Sequence, residues 1–255
     1  MAAAPDIIKG DTIQREIPPY TYEPGDDMPA EYRQAIVHIL TIESRIESEY
    51  PMMPEKTLVP AMAMAPRPED WVRYASYWAQ EVQHATYWIK MLAELGVDAM
   101  SKEFMSQPKP IYIFDMRDDA DSWAEWAYFS YFADRQGAYM GWEWMDSSYG
   151  PFARIAERSW REEEGHAQMA HEMLGYICST PDGREFAQKK LGKWYPAGLD
   201  MFGKADSTRQ YDYIRWGLRR RTNEEMRQAF KAEVDALLKS IGLEPPDPLA
   251  NRRYV

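Results

Sequence analysis

Cysteine and histidine, two residues that often carry metal or redox chemistry, are scarce in this chain. Its 255 residues include a single cysteine, Cys178, and four histidines. One cysteine excludes an intramolecular disulfide and any iron–sulfur cluster held by cysteines. A metal or redox function would therefore have to use histidines and carboxylates.

Long apolar runs and clustered positive charge are also missing. No apolar stretch approaches the roughly 20 residues of a membrane-spanning helix, and the first residues lack the pattern of a secretory signal. We therefore expect a cytoplasmic protein that does not enter a membrane. The net charge of −11 argues against binding to nucleic acid. No glycine-rich phosphate loop is present, so no organic redox cofactor is expected.

The chain does contain many apolar patterns with helical spacing. The predicted helices lie at about 29–50, 68–95, 122–146, 151–178, 184–191, 213–219 and 222–242. Residues 51–68 and 97–119 are expected to be irregular, and no stretch alternates long enough to predict a sheet. These patterns indicate an all-α fold, a four-helix bundle with extra C-terminal helices. We divide the chain into an extended N-terminal arm (1–29), a single helical domain (30–248) and a tail (249–255).

Two histidines follow a glutamate by three residues within the long helices. These pairs are Glu81 with His84, and Glu163 with His166. Residues i and i+3 share one helix face, so each pair can direct a carboxylate and an imidazole at one ion. Two such pairs, each joined by a carboxylate from a further helix, form the dinuclear metal site of ferritin-like bundles. A ferritin-like bundle is therefore the expected fold.

The further carboxylates would come from the first and third helices. On the first helix Glu43 and Glu47 lie one turn apart, and spacing leaves both open. On the third helix the candidate is Asp134, which could instead form an ion pair with Arg135. Four carboxylates and two imidazoles suit a pair of iron or manganese ions, and the ligand types leave both metals open.

The other acids and histidines near these motifs are expected to have supporting roles. Glu162 and Glu164 are placed on the solvated face of the fourth helix. His38 and His171 are interpreted as polar-face residues or as residues that support the ligands.

A resemblance to a known family extends over residues 28–247, well beyond the metal motifs. Besides the two Glu-x-x-His pairs, it rests on 28–33 (MPAEYR), 93–96 (AELG), 147–154 (SSYGPFAR), 194–197 (WYPA), 201–203 (MFG) and 221–227 (RTNEEMR). In these stretches the chain resembles the catalytic subunit of bacterial multicomponent phenylacetyl-CoA epoxidases. The sequence departs from that family at 80–84, which reads QEVQH where the family has DEAGH.

The resemblance implies a di-iron oxygenase that uses dioxygen to oxidise an aromatic ring carried as a coenzyme A thioester. It selects Glu47 and Asp134 as ligands. In this arrangement Glu47 and His84 would terminate one metal, Asp134 and His166 the other, and Glu81 and Glu163 would bridge the two. The implied partners are a second identical chain or a homologous structural subunit, and a separate reductase. The alternatives are a non-catalytic structural subunit and a ferritin-like oxidase with another substrate.

Overall fold

Helices form the fold in the part of the chain that the structure describes. The computed structural model describes residues 10, 13–18, 21–107 and 111–254. Parts of the predicted arm (1–9, 11–12 and 19–20) and the last residue of the predicted tail lie outside the described residues. Within those ranges, the only β-type pairing is one parallel bridge between Tyr22 and Tyr149.

The helices are numbered in chain order. Within the described ranges they are α1 (Ala30–Glu47), α2 (Glu49–Met52), α3 (Leu58–Met64), α4 (Pro68–Glu94), α5 (Lys102–Met105), α6 (Ile113–Asp118), α7 (Trp123–Trp144), α8 (Gly150–Ile177), α9 (Pro181–Asp200), α10 (Arg209–Arg215) and α11 (Asn223–Ser240). The prediction of an all-α fold is confirmed. None of these helices combines the length and apolar character needed to cross a membrane.

The long helices begin and end at residues with clear local reasons. Pro68 opens α4, where its missing N–H costs nothing. Gly96, just past the end of α4, has φ +74°, a conformation that glycine adopts without steric cost. The Ser122 hydroxyl accepts a hydrogen bond from a backbone N–H in the first turn of α7. At the start of α11, Thr222 and Glu225 form the predicted capping box.

Three segments differ from their prediction. Residues 51–68 and 97–119, expected to be irregular, include the short helices α3, α5 and α6. The helix expected to end near residue 191 continues as α9 to Asp200, past Pro196. A proline inside a helix removes a backbone hydrogen bond. Here Trp194 and Tyr195 are fully buried where α9 packs against α7, and this burial outweighs that loss.

Four long helices form the ferritin-like bundle. α7 packs along α8, α1 packs along α4, and α4 also contacts α8. α7 and α8 approach closely because α7 has glycine at the contact: a Cβ on Gly141 would lie 3.1 Å from the Trp160 backbone. α9 and α11 pack on the outer side of α7. The bundle therefore brings the C-terminal end of α1 and the middles of α4, α7 and α8 to one interior region.

Described parts of the arm and the tail lie against the bundle. Glu23 in the arm pairs with Arg154 of α8 at 2.5 Å. Arg252 in the tail pairs with the buried carboxylate of Asp200 at 2.6 Å. The division of the chain into arm, domain and tail stays a prediction.

Candidate metal centre

Six predicted ligands lie inside the bundle, on four different helices. They are Glu47 from α1, Glu81 and His84 from α4, Asp134 from α7, and Glu163 and His166 from α8. Their exposed fractions range from 0 to 8%. Burial of four acids in one place is costly unless another group compensates their charge.

The ligand atoms of these residues form two overlapping groups. In each group the atoms all lie within 4.8 Å of one another. The groups are Glu47, Glu81, His84 and Glu163, and Glu81, Asp134, Glu163 and His166. Glu81 and Glu163 belong to both groups. The cluster could therefore hold metal ions, with two carboxylates placed between two positions.

The surroundings of Glu43 and Glu47 separate the two candidates that spacing left open. Glu47 accepts a hydrogen bond from the indole N–H of Trp88 and belongs to the first group. Glu43 belongs to neither group and lines a cavity instead. Burial, together with the negative charge of Glu163, raises the pKa of Glu43 to about 8. The geometry therefore favours Glu47 as the ligand.

Asp134 does not form the alternative ion pair with Arg135. Arg135 pairs with Glu164 at 2.6 Å and with Glu233 at 2.5 Å. Asp134 accepts a hydrogen bond of 3.4 Å from the hydroxyl of Tyr77. Its carboxylate is left facing the other acids of the cluster.

The two other histidines lie apart from the cluster. The ring of His38 stacks on that of Tyr213 with centroids 6.4 Å apart. Nε2 of His171 lies 3.4 Å from the carbonyl oxygen of Leu237. Neither histidine belongs to a ligand group, as the sequence interpretation expects.

Each histidine of the cluster directs Nδ1 at a glutamate on the other helix of the α4–α8 pair. Nδ1 of His84 lies 3.2 Å from Glu163 Oε1, and Nδ1 of His166 lies 3.0 Å from Glu81 Oε1. Each Glu-x-x-His pair is thus completed by the pair on the facing helix. Local spacing supplies the two pairs, and helix packing joins them.

The outer ring nitrogens bind two residues that sequence reasoning missed. Nε2 of His84 lies 2.9 Å from Glu162 Oε2, and Nε2 of His166 lies 2.7 Å from Gln80 Oε1. Such outer partners fix the ring orientation and leave Nδ1 free for a metal. The prediction of a solvated Glu162 was wrong: its side chain is only 13% exposed, because α8 packs beside α4. The sequence offered one signal for these partners, because a histidine that binds a metal through one ring nitrogen needs a hydrogen-bond acceptor for the other.

Gly137 is a further residue that the motifs did not reveal. A Cβ at this position of α7 would lie 2.8 Å from the carboxyl group of Glu163. Any larger side chain would displace that carboxylate. Glycine inside a helix lowers stability by roughly 1 kcal/mol relative to alanine. A glycine in the interior of α7 was therefore a signal of a close contact that sequence reasoning could have used.

Burial dominates the electrostatics of the cluster. Burial, supplemented by repulsion between the carboxylates, raises the pKa of Glu47, Asp134 and Glu163. Burial opposes a charge on His84, but hydrogen bonds to Glu162 and Glu163 outweigh it and raise its pKa to about 12. Without a further cation, the cluster therefore retains protons that metal binding would release.

Unpartnered polar atoms test whether the cluster suits a metal. Among the described residues, Asp134 Oδ2 forms no hydrogen bond, and Glu81 Oε1, His84 Nδ1 and His166 Nδ1 have no hydrogen-bond partner outside the cluster. Buried polar atoms without a partner are rare and unfavourable in proteins. Carboxylate oxygens and imidazole nitrogens are the donors that iron and manganese accept. The residues therefore fit a dinuclear metal site.

A cavity of about 620 Å³ lies beside the cluster, between α1, α7, α10 and the start of α11. Its wall includes Glu43, one turn from Glu47, and the apolar side chains of Ile39, Ile42 and Met140. This volume falls within the usual range of small-molecule sites. The arrangement offers room for an organic substrate next to the metal positions.

Comparison with known proteins identifies the family. The family model described as phenylacetic acid catabolic protein matches residues 10–253. The chain belongs to this family. It is also similar to one of the subunits of 1,2-phenylacetyl-CoA epoxidase from Escherichia coli strain K12, with 26% identity over 234 residues, 89% of this chain and 73% of that protein. The family resemblance expected from the motifs is confirmed.

Proposed function

We propose that this chain is the catalytic subunit of a di-iron oxygenase that inserts one oxygen atom into an aromatic acyl substrate. The observation that carries the proposal is the pair of overlapping ligand groups that share Glu81 and Glu163. Membership of the phenylacetic acid catabolic family supports the reaction class, and the similarity to an epoxidase subunit supports a phenylacetyl thioester as substrate.

In this proposal the six buried residues have the roles that their grouping suggests. Glu47 and His84 would hold one iron, and Asp134 and His166 the other. Glu81 and Glu163 would contribute to both positions, because they belong to both groups. Two iron ions in these positions would supply the reductive activation of dioxygen.

The protein orients the metal ligands, keeps water away from the site and holds protons close to it. Glu162 and Gln80 hold the two imidazole rings through their outer nitrogens. The hydroxyls of Tyr50 and Tyr77 lie 2.6 Å apart, and both side chains are about 1% exposed. Burial raises the pKa of Tyr77, so it keeps its proton and donates to Asp134. Aromatic packing of this kind limits the access of water to the reaction.

The proposed reaction consumes dioxygen, two electrons and two protons for each substrate molecule. One oxygen atom forms an epoxide or hydroxyl on the aromatic ring, and the other leaves as water. The chain has one cysteine and no flavin motif, so the electrons come from a separate reductase. A homologous subunit or a second copy of the chain completes the assembly in this proposal.

The test is replacement of the bridging glutamate with a residue of the same shape. We expect Glu163→Gln to lose iron binding and to lower turnover of phenylacetyl-CoA by at least about 100-fold, because a shared ligand is lost. Glu164→Gln is the matched control, since Glu164 is the next residue, is 39% exposed and pairs with Arg135. Iron content is measured by mass spectrometry, and the reduced centre by electron paramagnetic resonance.

The outcome separates an oxygenase from its alternatives. A wild-type chain that binds less than about one metal per chain after iron loading would support a non-catalytic subunit. A Glu163→Gln chain that keeps two irons and full turnover would refute the ligand set. Activity with manganese but not with iron would change the metal and keep the site.

A further inference from the structure

One buried arginine on the cavity wall has no acidic partner in the described part of the chain. Arg219 is 6% exposed and lines the 620 Å³ cavity. Its Nη2 donates to Asn223 Oδ1 at 2.6 Å, and its guanidinium lies 5.1 Å from the ring centroid of Tyr213. Its Nε forms no hydrogen bond, and among the described residues no carboxylate oxygen lies within 4.0 Å of its side-chain nitrogens.

Two of the three other buried arginines pair with an acid. Arg117, which is fully buried, pairs with Glu49 at 2.6 Å, and Arg227, 3% exposed, pairs with Glu224. The third, Arg45, has no ion-paired carboxylate among the described residues, but its Nη2 donates to the carbonyl oxygen of Gln107 and it does not line the cavity. The acid whose charge most favours the charged form of Arg219 is Glu143, and that carboxylate is bound to Arg221 at 2.6 Å. Burial lowers the pKa of Arg219 to about 10, as expected for a cation without sufficient counter-charge.

The acids that share the cavity do not supply this counter-charge. Asp200 is bound to Arg252 at 2.6 Å. Glu43 lines the cavity from α1 and, among the described residues, forms no ion pair with Arg219. Asp206 lies at the exposed mouth of the cavity, next to the cations Lys204 and Arg209. Arg219 is therefore a buried cation of the cavity wall that none of these acids pairs with.

We propose that Arg219 binds an anionic oxygen group, a carboxylate or a phosphate, of the ligand that occupies this cavity. The inference rests on the proposed function, since the same cavity reaches Glu43 beside the metal ligands. A guanidinium offers planar paired donors that match carboxylate and phosphate oxygens. The apolar wall formed by Ile39, Ile42 and Met140 suits the aromatic part of the same ligand.

This arrangement would make Arg219 a determinant of substrate choice. A ligand that joins an aromatic ring to an anionic group satisfies both the apolar wall and the buried cation. A neutral aromatic compound of equal size would leave the cation without a partner, and such a loss discriminates strongly in buried sites. Lys204 and Arg209 at the mouth extend the positive potential toward solvent.

Isothermal titration of the metal-loaded, full-length chain tests the proposal. The ligands are phenylacetate, neutral phenylacetamide, phenylacetyl-CoA and inorganic phosphate. Arg219→Gln removes the charge, and Arg219→Lys keeps it without the planar fork. Arg161→Gln is the control, because Arg161 is 67% exposed and pairs with Glu157 on the surface. Thermal unfolding of each variant shows whether it is folded.

We expect Arg219→Gln to weaken the binding of an anionic ligand by about 10- to 100-fold, with Arg219→Lys in between. Phenylacetamide binding should stay the same in all variants. A loss for phenylacetate assigns Arg219 to the carboxylate of a free aromatic acid. A loss for phenylacetyl-CoA, with competition by inorganic phosphate, assigns it to the phosphates of a carrier.

Two results would overturn the proposal. One is equal affinity of wild type and Arg219→Gln for every anionic ligand. The other is an equal loss for phenylacetamide, which would indicate a packing role. If Arg219→Gln does not fold, the wild-type chain still decides: no preference for phenylacetate over phenylacetamide, and no binding of phosphate or phenylacetyl-CoA, refute the anion site.

The titration also separates this inference from the proposed function. Binding that depends on Arg219 without any oxygenation would contradict the proposed function and support the anion site. If Arg219→Gln oxygenates the substrate with wild-type rate and affinity, the proposed function is supported and the anion site is contradicted.

Discussion

Nine carboxylates are buried in the described part of the chain, and their surroundings are of two kinds. Five lie within ion-pair distance of a lysine or arginine: Glu49, Asp70, Glu125, Glu143 and Asp200. The other four are the acids of the metal centre: Glu47, Glu81, Asp134 and Glu163. Among the described residues, these four have no lysine or arginine partner. Their hydrogen-bond and ion-pair partners are histidines, Trp88 and Tyr77.

The difference shows what each region needs in order to be stable. A buried acid with an arginine partner is compensated within the chain itself. Four buried acids with two imidazoles are not, so their negative charge requires protons or an added cation. Two divalent metal ions would balance four carboxylates. The absence of a lysine or arginine partner among the described residues is thus a physical reason, independent of the sequence motif, to regard the centre as a metal site.

The comparison between paired and unpaired buried acids can be tested at Arg117, which pairs with Glu49. Arg117→Met removes the cation that lies 2.6 Å from the buried Glu49, and we expect the free energy of unfolding to fall by about 3–5 kcal/mol. Urea unfolding of the metal-loaded chain measures this loss. The metal content should stay unchanged. The double variant Arg117→Met with Glu49→Gln should recover most of the stability, because no unpaired charge is left.

A loss of less than about 1 kcal/mol in Arg117→Met would contradict the comparison. It would mean that a buried acid in this bundle tolerates the absence of a cation. The unpaired acids of the centre would then carry no implication of a metal.

At the metal centre, Glu162, which binds the outer ring nitrogen of His84, should affect the affinity for metal. We expect Glu162→Ala to weaken metal binding by about 10- to 100-fold while two metals still bind at saturation, because the His84 ring loses its orientation. Glu157→Ala is the control, since Glu157 lies on the same helix and its side chain is 68% exposed. Competition titration with a chelator gives the affinities. Loss of metal stoichiometry rather than affinity would make Glu162 a ligand.

The metal-free chain should also show a dependence of stability on pH. The pKa values of Glu47, Asp134 and Glu163 are raised above the ordinary value, so above about pH 4.3 the folded state binds more protons than the unfolded state. The stabilising proton on His84, whose pKa rises to about 12, acts in the same direction above about pH 6.5. Stability should therefore fall as pH rises from 5 to 8.

Each extra proton contributes on the order of 1 kcal/mol per pH unit to this fall. Thermal unfolding in the presence of a chelator measures it. Metal loading should reverse the trend, because the ligands bind metal in their deprotonated form. Glu163→Gln should flatten the profile of the metal-free chain. A wild-type profile that rises from pH 5 to 8 without metal would contradict the predicted sign.

Much of the fold and of the site could be predicted because the signals are local. Helix starts such as Pro68 and the capping box at Thr222 depend on neighbours within one turn. The two Glu-x-x-His pairs depend on a spacing of three residues, which any helix places on one face. The motif stretches identified the family before any tertiary contact was known.

Where local rules failed, a residue on another helix made the difference. α9 continues past Pro196 because Trp194 and Tyr195 are buried beside α7, which no local propensity records. Glu162 was taken for a solvated acid because the position of α4 beside it is a property of the packing. The role of Gly137 depends on another helix too, because a Cβ there would lie 2.8 Å from the carboxyl group of Glu163 on α8.

The sequence by itself determined the four long helices of the bundle, the two Glu-x-x-His motifs and the family. Only the tertiary structure separated the surroundings of Glu43 from those of Glu47, which the family resemblance had selected. It also gave both histidines their outer partners and, among the described residues, left Arg219 on a cavity wall without an ion-paired acid. The physical reason is the range of each interaction. Helix faces follow from the order of residues along the chain, whereas charge compensation depends on what other helices bring within about 4 Å.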